Sequence, residues 1–161
     1  MLADGKHLEE EGILDVARKM CIATRTAPKT KGQDYIVTLV LTGEEKNTLA
    51  DKTDEIGLRD YGEQSSFWFG SDANAIRQSQ AVVLIGCRKA YRGVLQCGWC
   101  GFENCKTCID AGGNCAYLYV DLGVAAASAS MVAGQSRVDN RMMWSAGKPA
   151  LPHYTVMRQG S

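Results

Sequence analysis

The stretch CGWCGFENCKTCIDAGGNC, residues 97–115, decides how this chain is organised. It holds five of the seven cysteines, whereas Cys21 and Cys87 stand alone. A disulfide framework normally spreads its cysteines along a small secreted chain, so that each pair closes a loop. The polar start MLADGKHLEEEG contains no apolar segment typical of an export signal, so five crowded thiols indicate a metal site. We predict a single domain over residues 1–161, in which residues 91–115 form a cysteine-rich loop inserted into an α/β core.

The spacing of the cysteines helps to distinguish between the metals that thiolates bind. Four cysteines follow the pattern C-x2-C-x4-C-x2-C from Cys97 to Cys108, and Cys115 comes after them. Thiolates are soft ligands that suit iron–sulfur clusters, zinc and copper(I). A zinc ribbon joins two such pairs across a spacer that is often about fifteen residues or longer, but only four residues separate Cys100 from Cys105. The spacing therefore favours an iron–sulfur cluster; structural zinc is the alternative, and free or redox-active thiols are a third interpretation.

Glycines and aromatic residues around the thiols fit a cluster. Gly98 and Gly101 flank the first cysteine pair, and a Gly-Gly pair precedes the last cysteine. Glycine takes left-handed turns and lets the backbone approach an inorganic core closely. The amide N–H groups that then face the sulfur atoms help to set the reduction potential. We expect the apolar Trp99 and Phe102 to shield the site from water.

Spacing alone leaves open which four of the five thiols ligate. Cys100, Cys105 and Cys108 match the plant-type [2Fe–2S] spacing. The segment that begins CGWCG is also similar to the small four-cysteine [4Fe–4S] domains. That likeness implies Cys97, Cys100, Cys105 and Cys115 as the ligands, which is the set we favour. Cys108 would then be a spare thiol nearby.

The rest of the chain supplies the frame, and its pattern predicts the fold class α+β (α/β), a small sheet packed by helices. Thr42 and Glu45 suggest a capping box for the second helix, and Ser71 suggests a cap for the third. The helix after the cysteine loop is apolar or small nearly all round, which predicts that it is buried. The predicted helices cover residues 6–24, 43–55, 71–79 and 121–133, the predicted strands cover residues 35–41, 81–85 and 138–145, and residues 57–70 are predicted to be irregular.

Composition limits the classes of partner. The chain has 161 residues, of which 45% are hydrophobic and 22% are charged, as in a globular domain. Eighteen basic residues balance eighteen acidic residues, so electrostatics give no reason to propose nucleic acid or an anionic membrane as a partner. The uncharged run 122–136 is too short and too weakly apolar to predict a membrane span. We expect the protein to act in the cytoplasm.

The order of the motifs resembles the uncharacterised ferredoxin-domain proteins of anaerobic bacteria and archaea. The pieces that carry the resemblance are ATRTAPKTKGQD (23–34), SDANAIRQSQAVVLIG (71–86), QCGWCGFENC (96–105), NCAYLYVDLGVAAASAS (114–130) and VDNRMMW (138–144). The resemblance implies an iron–sulfur cluster on Cys97, Cys100, Cys105 and Cys115. With the cluster we expect an electron-transfer or oxidoreductase role and a redox partner that is a protein or a small molecule.

A weaker likeness concerns the core. A helix, then TAP-x-x-x-x-Q before a strand, and later a small-residue helix are similar to flavin-dependent nitroreductases, in which two chains share FMN. That likeness implies a nitroreductase-like core, a possible homodimer, and a flavin or anion site that Arg141 joins from the far side of the core. The start that holds the FMN phosphate in those enzymes is missing here, and a solvated basic loop or an Arg141–Asp139 pair would explain the same residues. The loop residues of this site would be Arg25, Thr26, Lys29, Lys31 and Gln33.

Overall fold

The computed structural model describes residues 4–158, which form seven α-helices and two β-strands within that range. Short 3₁₀ segments at Thr30–Gly32 and Gly62–Phe67 lie between some of these elements. The elements in chain order are α1 (Gly5–Thr26), β1 (Ile36–Leu41), α2 (Gly43–Tyr61), α3 (Phe69–Gln78), β2 (Val82–Cys87), α4 (Cys105–Asp110), α5 (Ala116–Gln135), α6 (Gly147–His153) and α7 (Thr155–Arg158).

The two strands form an antiparallel sheet in which Ile36 faces Cys87 and Leu41 faces Val82. The start of β1 therefore lies beside the end of β2, and a hydrogen bond of 2.9 Å from Arg88 N to Tyr35 O extends the pairing toward the cysteine loop. Both strands confirm the two β-branched runs predicted near these positions. The two ends of β1 are buried, and the four residues between them are half-buried.

The predicted third strand at residues 138–145 is wrong. A left-handed residue, Arg137, follows the end of α5 with φ of 61°. The chain then runs without regular structure, and its side chains engage α3 instead of a strand. The Trp144 ring lies edge-on to Phe69 with centroids 5.7 Å apart. The segment therefore packs on α3 through its side chains and pairs with neither of the two strands.

The helices pack in two groups around the sheet. Helix α1 packs along α5, and α2 packs along α3. A Cβ at Gly57 would lie 2.5 Å from the Cβ of Phe69, so only glycine permits this approach of α2 to the start of α3. A small cluster of Ala27, Ile36 and Ala125 joins α5 to the sheet. The larger core consists of Leu41, Leu49, Ala50, Ala73, Ile76, Leu84, Ala146, Ala150 and Met157.

Several helix ends differ from the predicted ones. Helix α2 continues through Tyr61 because Ile56 is buried in the last turns of the helix. Thr42 occupies the N-cap position of α2, but its side chain makes no capping hydrogen bond, so the capping box is absent. Helix α3 begins at Phe69, so Ser71 lies inside its first turn and does not cap it. Because the ends of α2 and α3 differ in this way, much of the stretch 57–70 that was predicted to be irregular is helical.

Helix α5 begins at Ala116, five residues before its predicted start, and it is buried on one side only. Tyr119 and Met131 are 61% and 58% exposed, which corrects the prediction of burial all round. By length and composition α5 could cross a membrane, with a mean hydropathy of 1.4 over 18 residues. Because α5 also packs along α1 and carries a buried carboxylate at Asp121, this is weak evidence for a membrane span.

Candidate metal centre

The cysteine loop leaves β2 and runs without regular structure until α4. Gly98 and Gly101 have φ of 58° and 83°, and the N–H of Gly101 donates to the carbonyl of Gly98 at 2.9 Å. The predicted left-handed glycine turns are therefore present around the first cysteine pair. Gln96 also takes a left-handed conformation, with φ of 54°, directly before Cys97. The backbone thus turns sharply on both sides of the first cysteine.

Helix α4 was not predicted, although the sequence carries signals for both of its ends. Asn104 is the N-cap, and its side-chain oxygen accepts the N–H of Thr107 at 3.0 Å. At the other end the N–H of Gly113 donates to the carbonyl of Cys108 at 2.8 Å, and Gly112 has φ of 69°. This is the Schellman arrangement that ends many helices at glycine. Local bonds therefore close both ends of a six-residue helix.

Helix α4 brings cysteines together. Cys105 and Cys108 are three residues apart, which places them on one face of the helix. Cys115 is the N-cap residue of α5 and is 6% exposed, whereas Cys97, Cys100 and Cys105 are half-buried. None of the seven cysteines forms a disulfide.

Cys108 is the most enclosed thiol of the loop, with no exposed surface. Burial is the largest cause that raises the pKa of the Cys108 thiol, and the neighbouring thiols of Cys100, Cys115 and Cys105 raise it further. The thiol that the resemblance left as a spare is therefore buried beside other thiols of the loop. The ligand roles of Cys97 and the other cysteines remain a prediction.

The backbone makes room for this group. A Cβ at Gly113 would lie 2.7 Å from the Phe102 ring and 3.0 Å from the sulfur of Cys108. Only glycine lets the chain pass so close to these two side chains. Phe102 is thus packed into the loop, as expected of a shielding residue. Trp99 is 70% exposed and stacks on Tyr117 of α5, with ring centroids 5.3 Å apart.

The chemistry of the donors can be tested against the implied cofactor. All the candidate ligands are soft thiols, which suits an iron–sulfur cluster. No three His, Cys, Asp or Glu side chains within residues 4–158 converge closely enough to hold a single metal ion. The donor type and the glycine turns fit an iron–sulfur cluster.

Two contacts tie the base of the loop together. The hydroxyl of Tyr91 donates to the carbonyl of Gly113 at 2.8 Å. One residue further on, Arg92 forms an ion pair with Asp121 of α5, and the two side chains are 1% and 3% exposed. The segment before the first cysteine is therefore joined to the segments around the last cysteine. Sequence reasoning missed this pair because its members are 29 residues apart.

The ion pair belongs to a wider buried network. Asp121 Oδ1 accepts hydrogen bonds of 2.9 Å from both the backbone N–H and the hydroxyl of Thr30. The Arg92 guanidinium lies over the ring of Tyr35 at 4.6 Å from the centroid. Cys87, at the end of β2, is close by, and burial raises the pKa of its thiol. The loop, the sheet and α5 thus meet at one polar cluster.

Two residues of the predicted flavin segment, Arg25 and Lys29, form hydrogen bonds with other groups of the same chain. Lys29 is buried, and its ammonium donates to the carbonyls of Thr24, Arg25 and Ala27 at 2.5, 3.0 and 2.8 Å. It therefore caps the carboxyl end of α1. Arg25 donates to Asp34 at 2.9 Å. Burial opposes ionisation of Asp34, but the N–H of Ile36, together with Arg25 and Lys29, lowers its pKa overall.

The remaining predicted flavin residues are exposed or bond to other groups of the chain. The Thr26 hydroxyl donates to the carbonyl of Ala23 at 3.3 Å, and Lys31 and Gln33 are exposed. Arg141 lies 2.7 Å from Asp72 of α3, which replaces the alternative pairing with Asp139. The flavin site therefore stays a prediction.

Comparison with known proteins identifies the class. The family model described as an uncharacterised protein containing a ferredoxin domain matches residues 111–156. The match includes Cys115 and α5, and the other four cysteines of the loop lie before it. The chain belongs to this family of uncharacterised ferredoxin-domain proteins.

A relative extends the likeness over most of the chain. An uncharacterised protein of Archaeoglobus fulgidus is 36% identical over 155 residues, which cover 91% of this chain and 82% of that protein. No solved structure matches the chain. The α+β class agrees with the mixed helices and two-stranded sheet, whereas the nitroreductase-like core is without support.

Proposed function

We propose that this protein is an electron carrier that binds a [4Fe–4S] cluster through Cys97, Cys100, Cys105 and Cys115. The observation that supports this most is the run of five cysteines in one loop, around left-handed glycine turns, in a chain of the ferredoxin-domain family. Such a cluster supplies one-electron redox chemistry, accepting an electron from a low-potential donor and passing it to an acceptor.

The role of the chain is to hold these thiols and to control the surroundings. Left-handed turns at Gly98 and Gly101 bend the backbone around the first pair and free amide groups that can face sulfur. The tie between Tyr91 and Gly113 closes the base of the loop. Phe102 fills the space beside Gly113 and excludes water from that side. The exclusion of water lowers the dielectric constant around the thiols, which changes the reduction potential of a cluster bound there.

Exposure favours exchange of electrons at the loop surface. Cys97, Cys100 and Cys105 are half-buried, so the sulfur atoms lie near the protein surface. Leu95 and Trp99, on the same loop, are 91% and 70% exposed. Exposed apolar side chains of this kind are typical of surfaces that partners cover. We place the contact with a redox partner at this loop, and we propose that the protein acts in the cytoplasm.

The test is anaerobic purification and reconstitution with iron and sulfide, followed by metal and sulfide analysis and visible spectroscopy. The proposal predicts about four iron and four sulfide per chain and a broad visible absorption that dithionite bleaches. Cys97→Ser should prevent loading. Cys21→Ser is the matched control, because Cys21 lies on α1, away from the loop, and should load as the wild type does.

The outcomes separate the alternatives. A colourless protein with one zinc per chain and no bound sulfide would replace the redox function with a structural zinc site. Retention of the cluster in Cys115→Ser would show that the fourth ligand is wrong. Release of a yellow compound on denaturation would add flavin to the cofactors.

A further inference from the structure

The outer face of α5 carries apolar side chains that the described part of the chain leaves exposed. We define this face as the exposed row opposite the buried side of the helix, made of Val120, Gly123, Ala127, Met131 and Gly134. Spacings of three and four residues keep the row on one side of the helix. Val120 and Met131 are 49% and 58% exposed. The one charged residue of α5, Asp121, is buried on the other side, so the outer face carries no charge.

Two glycines of the outer face have no explanation within the chain. A Cβ at Gly123 or at Gly134 would meet no neighbouring group of residues 4–158 within 4 Å, whereas a Cβ at Gly57 would collide with Phe69. A glycine inside a helix costs about 0.5–1 kcal/mol relative to alanine. The packing of the chain does not require these two glycines, but the close approach of another helix would.

The outer face is complementary to a second copy of itself. When two antiparallel α5 helices are related by a two-fold axis at Ala127, each residue faces the one at the same distance beyond the axis. Gly123 of one copy then faces Met131 of the other, and Val120 faces Gly134, so each large side chain meets a glycine. The small Ala127 meets its own copy. The antiparallel arrangement also places the positive N-terminal end of each helix dipole beside the negative C-terminal end of the other.

The area of the contact shows which other helix takes part. One face of a helix about 30 Å long and 10 Å wide, covered in both copies, provides roughly 600 Å². A specific interface buries at least about 1,200 Å². Helix α1 packs along α5, so stacking α5 on its copy also brings α1 over the α1 of that copy. Leu8 and Ile22 of α1 are 55% and 62% exposed, and this second pair of helices raises the total to roughly 1,200 Å².

We propose that the protein forms a symmetric homodimer in which the outer face of α5 packs antiparallel on the outer face of a second copy, with Ala127 at the two-fold axis. The residues of this face lie outside the cysteine loop, so the dimer forms with or without a bound cluster. An area of roughly 1,200 Å² is at the low end for specific interfaces. We therefore expect a dimer that dissociates on dilution.

The first experiment is analytical ultracentrifugation of the anaerobically purified full-length chain. Its mass should rise with concentration from the 17.5 kDa of one chain towards twice that value. Ala127→Glu sets two carboxylates against each other at the axis and should weaken association at least about tenfold. Ala127→Lys should do the same, whereas a mixture of the two variants should form a heterodimer, because a residue at the axis meets its own copy. Asn74→Glu, which is exposed on α3, is the control for an added charge and should dimerise as the wild type does.

A second variant tests the outer face without weakening the fold. Leucine has a higher helix propensity than glycine, so the Gly123→Leu monomer should be at least as stable as the wild-type monomer. Urea unfolding at a dilution at which both are monomers measures this. The added side chain collides with Met131 of the second copy, so association should fall at least about tenfold. Adding Met131→Ala to the same chain reopens the space and should restore association.

Each outcome decides the proposal. A wild type that stays monomeric at every concentration overturns it, and binding of that monomer to neutral phosphatidylcholine vesicles would assign the outer face to a lipid surface instead. A dimer that persists unchanged in both Ala127→Glu and Gly123→Leu uses another face, which also overturns it. If the two Ala127 variants are folded by circular dichroism but do not associate when mixed, the axis at Ala127 is wrong. If they do not fold, Gly123→Leu and its rescue by Met131→Ala decide.

Discussion

Loss of one member of the Arg92–Asp121 pair should destabilise the fold more than any surface change. Arg92→Met removes the cation but keeps most of the apolar volume of the side chain. The Asp121 carboxylate, which is 3% exposed, then keeps only its two hydrogen bonds from Thr30. Breaking a buried pair on one side costs about 3–5 kcal/mol. Because Thr30 still partly compensates the charge, we expect a loss near the lower end, about 3 kcal/mol.

Urea unfolding followed by circular dichroism measures this loss. The slope for a small domain is about 1–3 kcal/mol per M, so the midpoint should fall by about 1–3 M. Arg18→Met is the matched control, because the Arg18–Asp15 pair is 69% and 64% exposed. An exposed pair contributes about 0–1 kcal/mol. The midpoint of this variant should therefore stay close to that of the wild type.

A double-mutant cycle separates the pair from its surroundings. Asp121→Asn keeps an acceptor for Thr30 but removes the charge, and the double variant Arg92→Met/Asp121→Asn leaves no unpaired ion. We expect the double variant to lose at least about 1 kcal/mol less than the sum of the two single losses. An Arg92→Met midpoint equal to that of Arg18→Met, or strictly additive losses in the cycle, would refute the assignment of a coupled buried pair.

Three further predictions concern packing, helix propensity and pH. Gly113→Ala should cost about 1–3 kcal/mol through overpacking against Phe102; urea unfolding checks this, and an unchanged midpoint would contradict the close approach. Gly12→Ala lies in open space on α1 and should stabilise the protein by about 0.5–1 kcal/mol, as a rise in melting temperature would show. Because folding lowers the pKa of Asp34, its ionised carboxylate stabilises the folded protein above pH about 4. This stabilisation is lost as pH falls through the lower folded-state pKa. Asp34→Asn should therefore be less stable than wild type at neutral pH and equal to it in acid, and a deficit independent of pH would contradict the role of the charge.

The regular frame follows largely from local sequence patterns. The β-branched runs before Leu41 and after Ala81 become the two paired strands, because such residues fit a pleated surface. Pro28 falls just beyond the end of α1, as a residue that cannot continue a helix should. The fold class and the order of the elements from α1 to β2 could therefore be predicted from one sequence.

Tertiary contacts account for the failures. The segment 138–145 was predicted to be a strand, but Trp144 packs edge-on to Phe69 of α3, a contact that local sequence patterns cannot reveal. Helix α2 continues past its predicted end because Ile56 is buried there and Gly57 lets Phe69 pack against the helix. In both cases the deciding partner is distant along the chain.

The cysteine loop was predicted in its chemistry but not in its arrangement. Thiol type and glycine spacing indicated a cluster and left-handed turns, and the turns at Gly98 and Gly101 are present. Helix α4 was missed, although Asn104 and the Gly-Gly pair are ordinary end signals. The burial of Cys108 depends on that helix. Spacing along the chain could not predict it.

The stack of Trp99 on Tyr117 places a fluorescent reporter in the cysteine loop. Trp99 is the tryptophan of the cysteine loop, whereas Trp68 and Trp144 both pack near Phe69 at the start of α3. Replacing Trp68 and Trp144 with phenylalanine would leave one indole whose emission reports on the loop alone. Filling of the site, loss of order around it and approach of another protein could then be timed from a single fluorescence trace.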